Sequence, residues 1–206
     1  MAKQFRGCSK LVYAIVTEAD GGTTYGAVKP LAPVKSVSRE IAADNEDVWA
    51  DNAIQEKTFA GTKVTRSFEC TRLPLDVEAE LLGYTSVSVG SGTSVKAYGT
   101  EQDGSNRPYI AVGYALHDGN AEQPCEIVWA FRGKVTNISK ASNTIDDGTG
   151  SEGQTVDIEF IAPVNKFTKT GKKNLDIFMP VDDTTDVDKW FKQVVTFDNI
   201  DTVLAA

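Results

Sequence analysis

Four sets of residues in this chain have types and spacings that could do chemistry. The first, Gly148-Thr-Gly150-Ser-Glu-Gly153, has the G-x-G-x-x-G spacing of a dinucleotide-binding turn. That spacing cradles a pyrophosphate only between a strand and the helix whose free N–H groups receive it. Here a stretch rich in Ser, Asn, Asp and Gly precedes it and an alternating strand pattern follows, so it reads as a polar loop. His117, the only histidine, stands beside Asp118-Gly119 and reads as a solvated turn residue. One imidazole with no cysteine pair gives no zinc ligand set. A Ser-His-Asp triad assembles in space, so sequence leaves it open, but no G-x-S-x-G elbow is present. Asp182, Asp183, Asp186 and Asp188 could gather calcium or pair for glycoside hydrolysis. EF-hand spacing is absent, and an acidic helix start is the simpler account. Cys8, Cys70 and Cys125 are widely spaced and odd in number, which suits small buried hydrophobes in a reducing compartment. The expectation is a protein that is not an enzyme, with no catalytic residue, cofactor or metal site.

The elements around these residues are mostly strands. Tyr109-Ile-Ala-Val-Gly-Tyr-Ala-Leu116 alternates large and small residues, and Glu126-Ile-Val-Trp-Ala-Phe-Arg-Gly-Lys-Val135 puts Ile127, Trp129 and Phe131 on one side. Each predicts a strand with one buried face, the two joined as a long hairpin. Further strands are expected at residues 11–17, 24–28, 35–39, 63–71, 84–98 and 194–197. Another is expected at 155–161, with Val156, Ile158 and Phe160 inward and Asp157 and Glu159 outward. Residues 73–83 read as a helix: Pro74 suits the first turn, Asp76 and Glu78 the positive end of the dipole, and Gly83 the stop. A short C-terminal helix is expected within residues 182–194. Residues 40–61 are acidic, yet carry Val48, Trp49, Ile54 and Phe59. That combination predicts a long extended loop that either folds back onto the core or meets a partner, with the partner favoured. The fold class is therefore mainly β, sandwich- or barrel-like, in one domain spanning 1–206.

The formal net charge is -8, from 21 basic and 29 acidic residues. Such a surface repels phosphate and argues against gripping nucleic acid, though not against one that nucleic acid slides past. The four lysines within residues 165–174 read as a solvated face or as a partner for acidic segments of another subunit. Met1-Ala-Lys-Gln-Phe-Arg6 lacks a signal-peptide h-region, and Leu11 to Val16 is too short an apolar run to span a membrane.

In order along the chain, several segments resemble the major tail tube protein of long-tailed bacteriophages, of the phi13-type major tail protein family. They are Leu11-Val-Tyr-Ala-Ile-Val-Thr17, Thr24-Tyr-Gly26, Lys29-Pro-Leu-Ala-Pro33, Leu73-Pro-Leu-Asp-Val-Glu-Ala-Glu-Leu-Leu-Gly83, Pro108-Tyr-Ile-Ala-Val-Gly-Tyr114, Trp129-Ala-Phe-Arg-Gly-Lys134 and Trp190-Phe191. The resemblance implies a β-sandwich-like fold with a helix at its side and a structural virion protein. It implies hexameric rings stacked into a tail tube that conducts DNA, assembled in the host cytoplasm around a tape-measure protein, with tail terminator and distal tail proteins as partners. On that reading Trp49, Ile54 and Phe59 make the inter-ring contact, and Asp157, Glu159 and Glu69 line an acidic lumen. Residues 109–116 and 156–161 would belong to sheets near the seam where the strand edges of ring neighbours join. The competing class is a monomeric β-sandwich binding module, for example for carbohydrate, using Trp49, Trp129 and Trp190. The alternation around Trp129 predicts instead that this residue is in the core.

Overall fold

A computed structural model describes residues 5–19, 22–50, 53–90, 94–119, 122–141 and 153–205; the side chains of 43–50, 53–61 and 205 lie outside that description. Among the described residues nine strands form one sheet. Its main path runs β2 (Gly22–Tyr25), β1 (Gly7–Ala19), β8 (Tyr109–His117), β9 (Glu126–Lys140), β10 (Gln154–Phe160), β5 (Ala53–Cys70) and β4 (Val34–Ala50). A short β3 (Lys29–Pro30) pairs with β1, and β11 (Asp176–Pro180) pairs with β9. Two strands stand apart as a separate hairpin, β6 (Thr85–Ser88) and β7 (Lys96–Gly99). The α-helices among the described residues are short: α1 (Leu75–Leu82), α2 (Val187–Trp190) and α3 (Ile200–Ala205).

The sheet curls, bringing edge strand β4 back beside β1 without joining it in the ladder. The curl encloses one core, which includes Leu11, Tyr13, Phe68, Ile110, Val112, Tyr114, Ile158 and Phe160, with Leu81 of α1 packed against it. A second core lies on the outer face of β1, β8 and the start of β9. There Ala111, Ala115, Ile127, Trp129 and Phe131 meet Phe167, Trp190, Val194, Val195 and Val203 from the C-terminal segment. Trp129 donates Nε1–H to the Trp190 carbonyl at 3.0 Å, tying the segment down.

This layering corrects the expectation that β8 buries one face. Its large residues fill the barrel, and its small ones admit the outer layer. Gly113 shows why: a Cβ there would sit 2.9 Å from the Trp129 ring. Gly83 ends α1 at φ 68, where a Cβ would also strike the Asn106 carbonyl oxygen at 2.5 Å.

Other expectations shift in detail. The helix over 73–83 is present as α1, and α2 lies within the expected 182–194. The described parts of residues 40–61 are not a loop but the far half of the β4–β5 hairpin. Residues 194–197 are not a strand; they lead into α3, with Asn199 Oδ1 accepting from the Thr196 N–H. Residues 109–116 and 156–161 belong to interior strands, because β8 and β10 are each paired on both sides within the chain. β11 escaped the sequence reading, because its five residues show no alternation long enough to register. Of the glycine-rich motif, residues 148–152 lie outside the described residues.

Candidate functional site: a bare sheet face and a projecting hairpin

The outer face of the sheet has two halves. One is covered by the C-terminal segment. The other, across β4, β5, β10 and the end of β9, carries no layer of described elements and is polar. Ladder register arranges it in three rungs. The first runs Ser36, Glu69, Thr155, Ser139; the second Ser38, Ser67, Asp157, Asn137; the third Glu40, Thr65, Glu159, Lys134. The strict alternation of β10 produces this: Val156, Ile158 and Phe160 are fully buried, while Asp157 and Glu159 turn outward.

The three carboxylates expected to share a role therefore do share one face. Asp157 is held by neutral donors, Ser67 Oγ at 2.5 Å and Asn137 Nδ2 at 3.1 Å. Glu159 pairs with Lys63 at 2.9 Å. Glu69 accepts from Ser36 Oγ at 3.1 Å and lies 3.8 Å from Lys35 Nζ. Lys35, Lys63 and Lys134 thus offset much of the negative charge of Glu40, Glu69, Asp157 and Glu159. The face is rich in hydroxyls and mildly acidic.

Beyond this face the β4–β5 hairpin runs on. β10 pairs β5 only from Cys70 to Val64, whereas β4 and β5 pair with each other out to Ala50 and Ala53. At about 3.3 Å per residue, the part past Ile41 reaches roughly 30 Å. Trp49 and Ile54 are register partners near its end, and Phe59 lies opposite Asn45. Their side chains are outside the description.

A charged clamp holds the root of the hairpin. Arg66 of β5 is fully buried, and its Nη2 donates to Asp176 of β11 at 2.5 Å. Its Nε donates to the Tyr114 hydroxyl at 3.1 Å, and its guanidinium lies 5.0 Å from the Phe160 ring centre. Arg39, the ladder partner of Arg66 on β4, reaches the same Asp176 carboxylate at 3.4 Å and stacks over Phe178 at 4.6 Å. Burial pushes the Tyr114 hydroxyl and the Glu126 carboxyl above their ordinary ranges, against the pull of Arg66 on the first and Arg39 on the second. One aspartate thus ties both strands of the hairpin to the barrel. The sequence reading missed these residues. The signal was available: the period-2 phase that turns Val64, Phe68 and Cys70 inward turns Arg66 inward too.

The other candidates resolve differently. His117 is not a free turn residue: it ends β8, and its Nε2 lies 2.8 Å from Ser9 Oγ, which pins the start of β1. Asp182 accepts from Thr184 and Thr185 and caps a turn, and hydrogen bonds from these hydroxyls hold its carboxyl below the ordinary range. Asp186 caps α2 by accepting from the N–H groups of Asp188 and Lys189, both at 3.1 Å. Among the described residues no group of three or more His, Cys, Asp or Glu is placed to hold a metal ion. Cys70 is buried, which pushes its thiol up to about 11. Trp129 and Trp190 are both fully buried, so neither can form an exposed carbohydrate platform. No helix among the described residues is long and apolar enough to cross a membrane.

These features define a curled, mainly β domain whose outer face is half covered and half bare, with a long clamped hairpin. No protein-family model matches the chain, and no curated protein matches it. Several solved structures are similar, two of them as follows. One is the sheath–tube complex, in the extended state, of the extracellular contractile injection system PVC: 12% identity over 84% of this chain and 89% of that one, at a TM-score of 0.39. The other is the tube-terminating cap of the anti-feeding prophage AFP: 9% identity over 88% of this chain and 95% of that one, at a TM-score of 0.40.

Proposed function

We propose that this chain is a structural subunit of a phage-type tail tube, which self-assembles into stacked hexameric rings. The observation that carries the reading is the β4–β5 hairpin, rooted by the Asp176 clamp and extending past its last contact with β10. An arm of that length without further ladder partners among the described residues is suited to a neighbouring subunit. Trp49, Ile54 and Phe59 would supply its apolar contacts in the next ring. Such a contact is heterologous and does not close on itself, which is what an indefinite tube requires.

The bare face would line the lumen. Duplex DNA carries one charge per about 1.7 Å, and a basic wall would hold it by counterion release. Hydroxyls and a slight excess of carboxylates let it pass. Of the three lumen residues, Asp157 matters most, since Glu159 and Glu69 have lysines beside them. The tape-measure, terminator and distal tail proteins belong to this reading through the sequence resemblance, as does a place in the virion tail.

Deleting residues 44–58 tests the reading. The deletion variant should fold, as judged by circular dichroism, and should sediment without tubes where the full chain makes them. Normal tubes from the folded deletion variant would overturn the role given to the hairpin.

A further inference from the structure

The loop between β10 and β11 is fastened at several points. Phe167 closes it on itself, its N–H donating to the Lys172 carbonyl at 3.0 Å and its carbonyl accepting from the Gly171 N–H at 2.8 Å. Asp198, ahead of α3, accepts from the Thr168 and Lys169 N–H groups at 3.0 and 2.9 Å. Glu18 of β1 accepts from the Val164 N–H at 3.2 Å. The Phe167 ring lies 4.8 Å from that of Phe131 in the outer core. A wall held this way is preorganised for whatever lies against it.

A cleft of about 460 Å³ lies against it, within the usual range of small-molecule sites, about 300–1,000 Å³. β2 forms the other wall, and the segment before α3 contributes Thr196 and Asp198. Thr23 and Tyr25 stand two apart on β2, so they share a face, and both line the cleft. Their hydroxyl oxygens are buried and have no hydrogen-bond partner among the described residues. Two such groups on one short strand cost the single chain stability, and a guest that bonds to them would recover it.

The lining selects a neutral guest. Among the described residues Lys166 is its one cation and Asp198 its one carboxylate. Burial, with the Glu18 carboxylate nearby, holds the Tyr25 hydroxyl well above its ordinary range, so it stays an uncharged donor and acceptor. Glu18 is itself paired with Arg132 at 2.7 Å, which leaves no spare positive charge there for an anion. The remaining polar groups both donate and accept: the hydroxyls of Thr23, Tyr25 and Thr168 and the amide of Asn165. Tyr25 and Phe167 add aromatic surface. Hydroxyls that donate and accept, set on a C–H frame that packs on aromatic rings, are the chemistry of a neutral sugar.

We propose that the cleft between β2 and residues 163–168 is a binding site for a neutral sugar, with the Thr23 and Tyr25 hydroxyls at its centre. The site uses none of the three tryptophans. It is independent of the tube reading, because Tyr25 and Phe167 belong to the covered half of the sheet, apart from the bare face and the β4–β5 hairpin. A sugar held there stabilises the folded chain by mass action.

The test is equilibrium dialysis of the full chain against radiolabelled glucose, galactose, N-acetylglucosamine and maltose, with inorganic phosphate as the anionic control. Dialysis reads saturation whether the chain is a single subunit or a tube. At least one sugar should bind saturably, raise the melting temperature and slow amide hydrogen exchange at residues 22–25 and 163–168. Thr23→Val with Tyr25→Phe removes the two hydroxyls and little else. It should weaken that sugar about tenfold or more, through two lost hydrogen bonds. The sugar-free variant should melt no lower than the unsubstituted chain, because no bond within the fold is lost. Uptake that stays linear for every sugar would overturn the proposal, as would saturable binding of phosphate alone. Unchanged sugar affinity in the double variant would overturn it too. So would a markedly lower melting temperature of the sugar-free variant, which would mean that the hydroxyls serve the fold.

Discussion

The two halves of one sheet are built on opposite rules. On the covered half, β8 reads Ile110-Ala-Val-Gly-Tyr-Ala115 and has no charged side chain on either face, because the barrel core lies on one side and the C-terminal layer on the other. On the bare half, β10 reads Val156-Asp-Ile-Glu-Phe160 and alternates strictly. A near-continuous apolar strand is one buried twice, and an alternating strand is buried once. The covered half stores stability. The bare half can change its surface chemistry without endangering the fold, which is what a surface facing other molecules needs.

Substitutions separate the halves by size of effect. Trp129→Ala removes the centre of the covered half and its hydrogen bond to Trp190, and should cost about 3–5 kcal/mol in urea unfolding. A loss below about 1 kcal/mol would mean that the C-terminal layer is not stabilising the sheet. Asp176→Ala leaves the buried Arg66 charge without its carboxylate and should cost about 3 kcal/mol or more. It should also loosen the root of the β4–β5 hairpin, read as faster amide hydrogen exchange at residues 39–42 and 62–66. Unchanged exchange there would break the clamp assignment. Gly113→Ala presses a methyl on the Trp129 ring and should cost about 1–3 kcal/mol.

The bare half should respond far less. Asp157→Lys with Glu159→Lys should move folding stability by at most about 1 kcal/mol, since both sites face outward. Tail assembly should survive, and DNA ejection should slow, more at low salt than at high. At physiological salt the Debye length is about 8 Å, so only charges on the channel wall act on the duplex. Wild-type ejection rates at low salt would remove these two residues from the lumen. The smallest effect concerns Glu126. Burial raises its folded-state carboxyl above the unfolded value near 4.3, so its contribution to stability is present at low pH and is lost as pH rises through that range. Glu126→Gln should therefore raise the melting temperature slightly at pH 7 and leave it unchanged near pH 3.5. A drop at pH 7 would show that attraction to Arg39 outweighs burial.

Much of the fold was legible because alternation is a local signal. Val156, Ile158 and Phe160 point inward as read, and α1 ends at the expected glycine. The second face of β8 was not legible, because its cover comes from residues 167–203, far along the chain. Residues 40–61 read as a loop because acidic side chains mask strand pairing, whereas two long strands satisfy each other's backbone whatever their side chains. The clamp depends on Asp176 meeting Arg66 across 110 residues, which no local pattern carries. The role of Trp49, Ile54 and Phe59 depends on a second molecule and is tested only in the assembly.

Negative-stain electron microscopy of the purified full chain, with the 44–58 deletion beside it, tests the central claim most directly. Hollow tubes or stacked rings from the full chain, and isolated folded subunits from the deletion, are the expected result. Isolated subunits from the full chain at every concentration, or tubes from both, would contradict it.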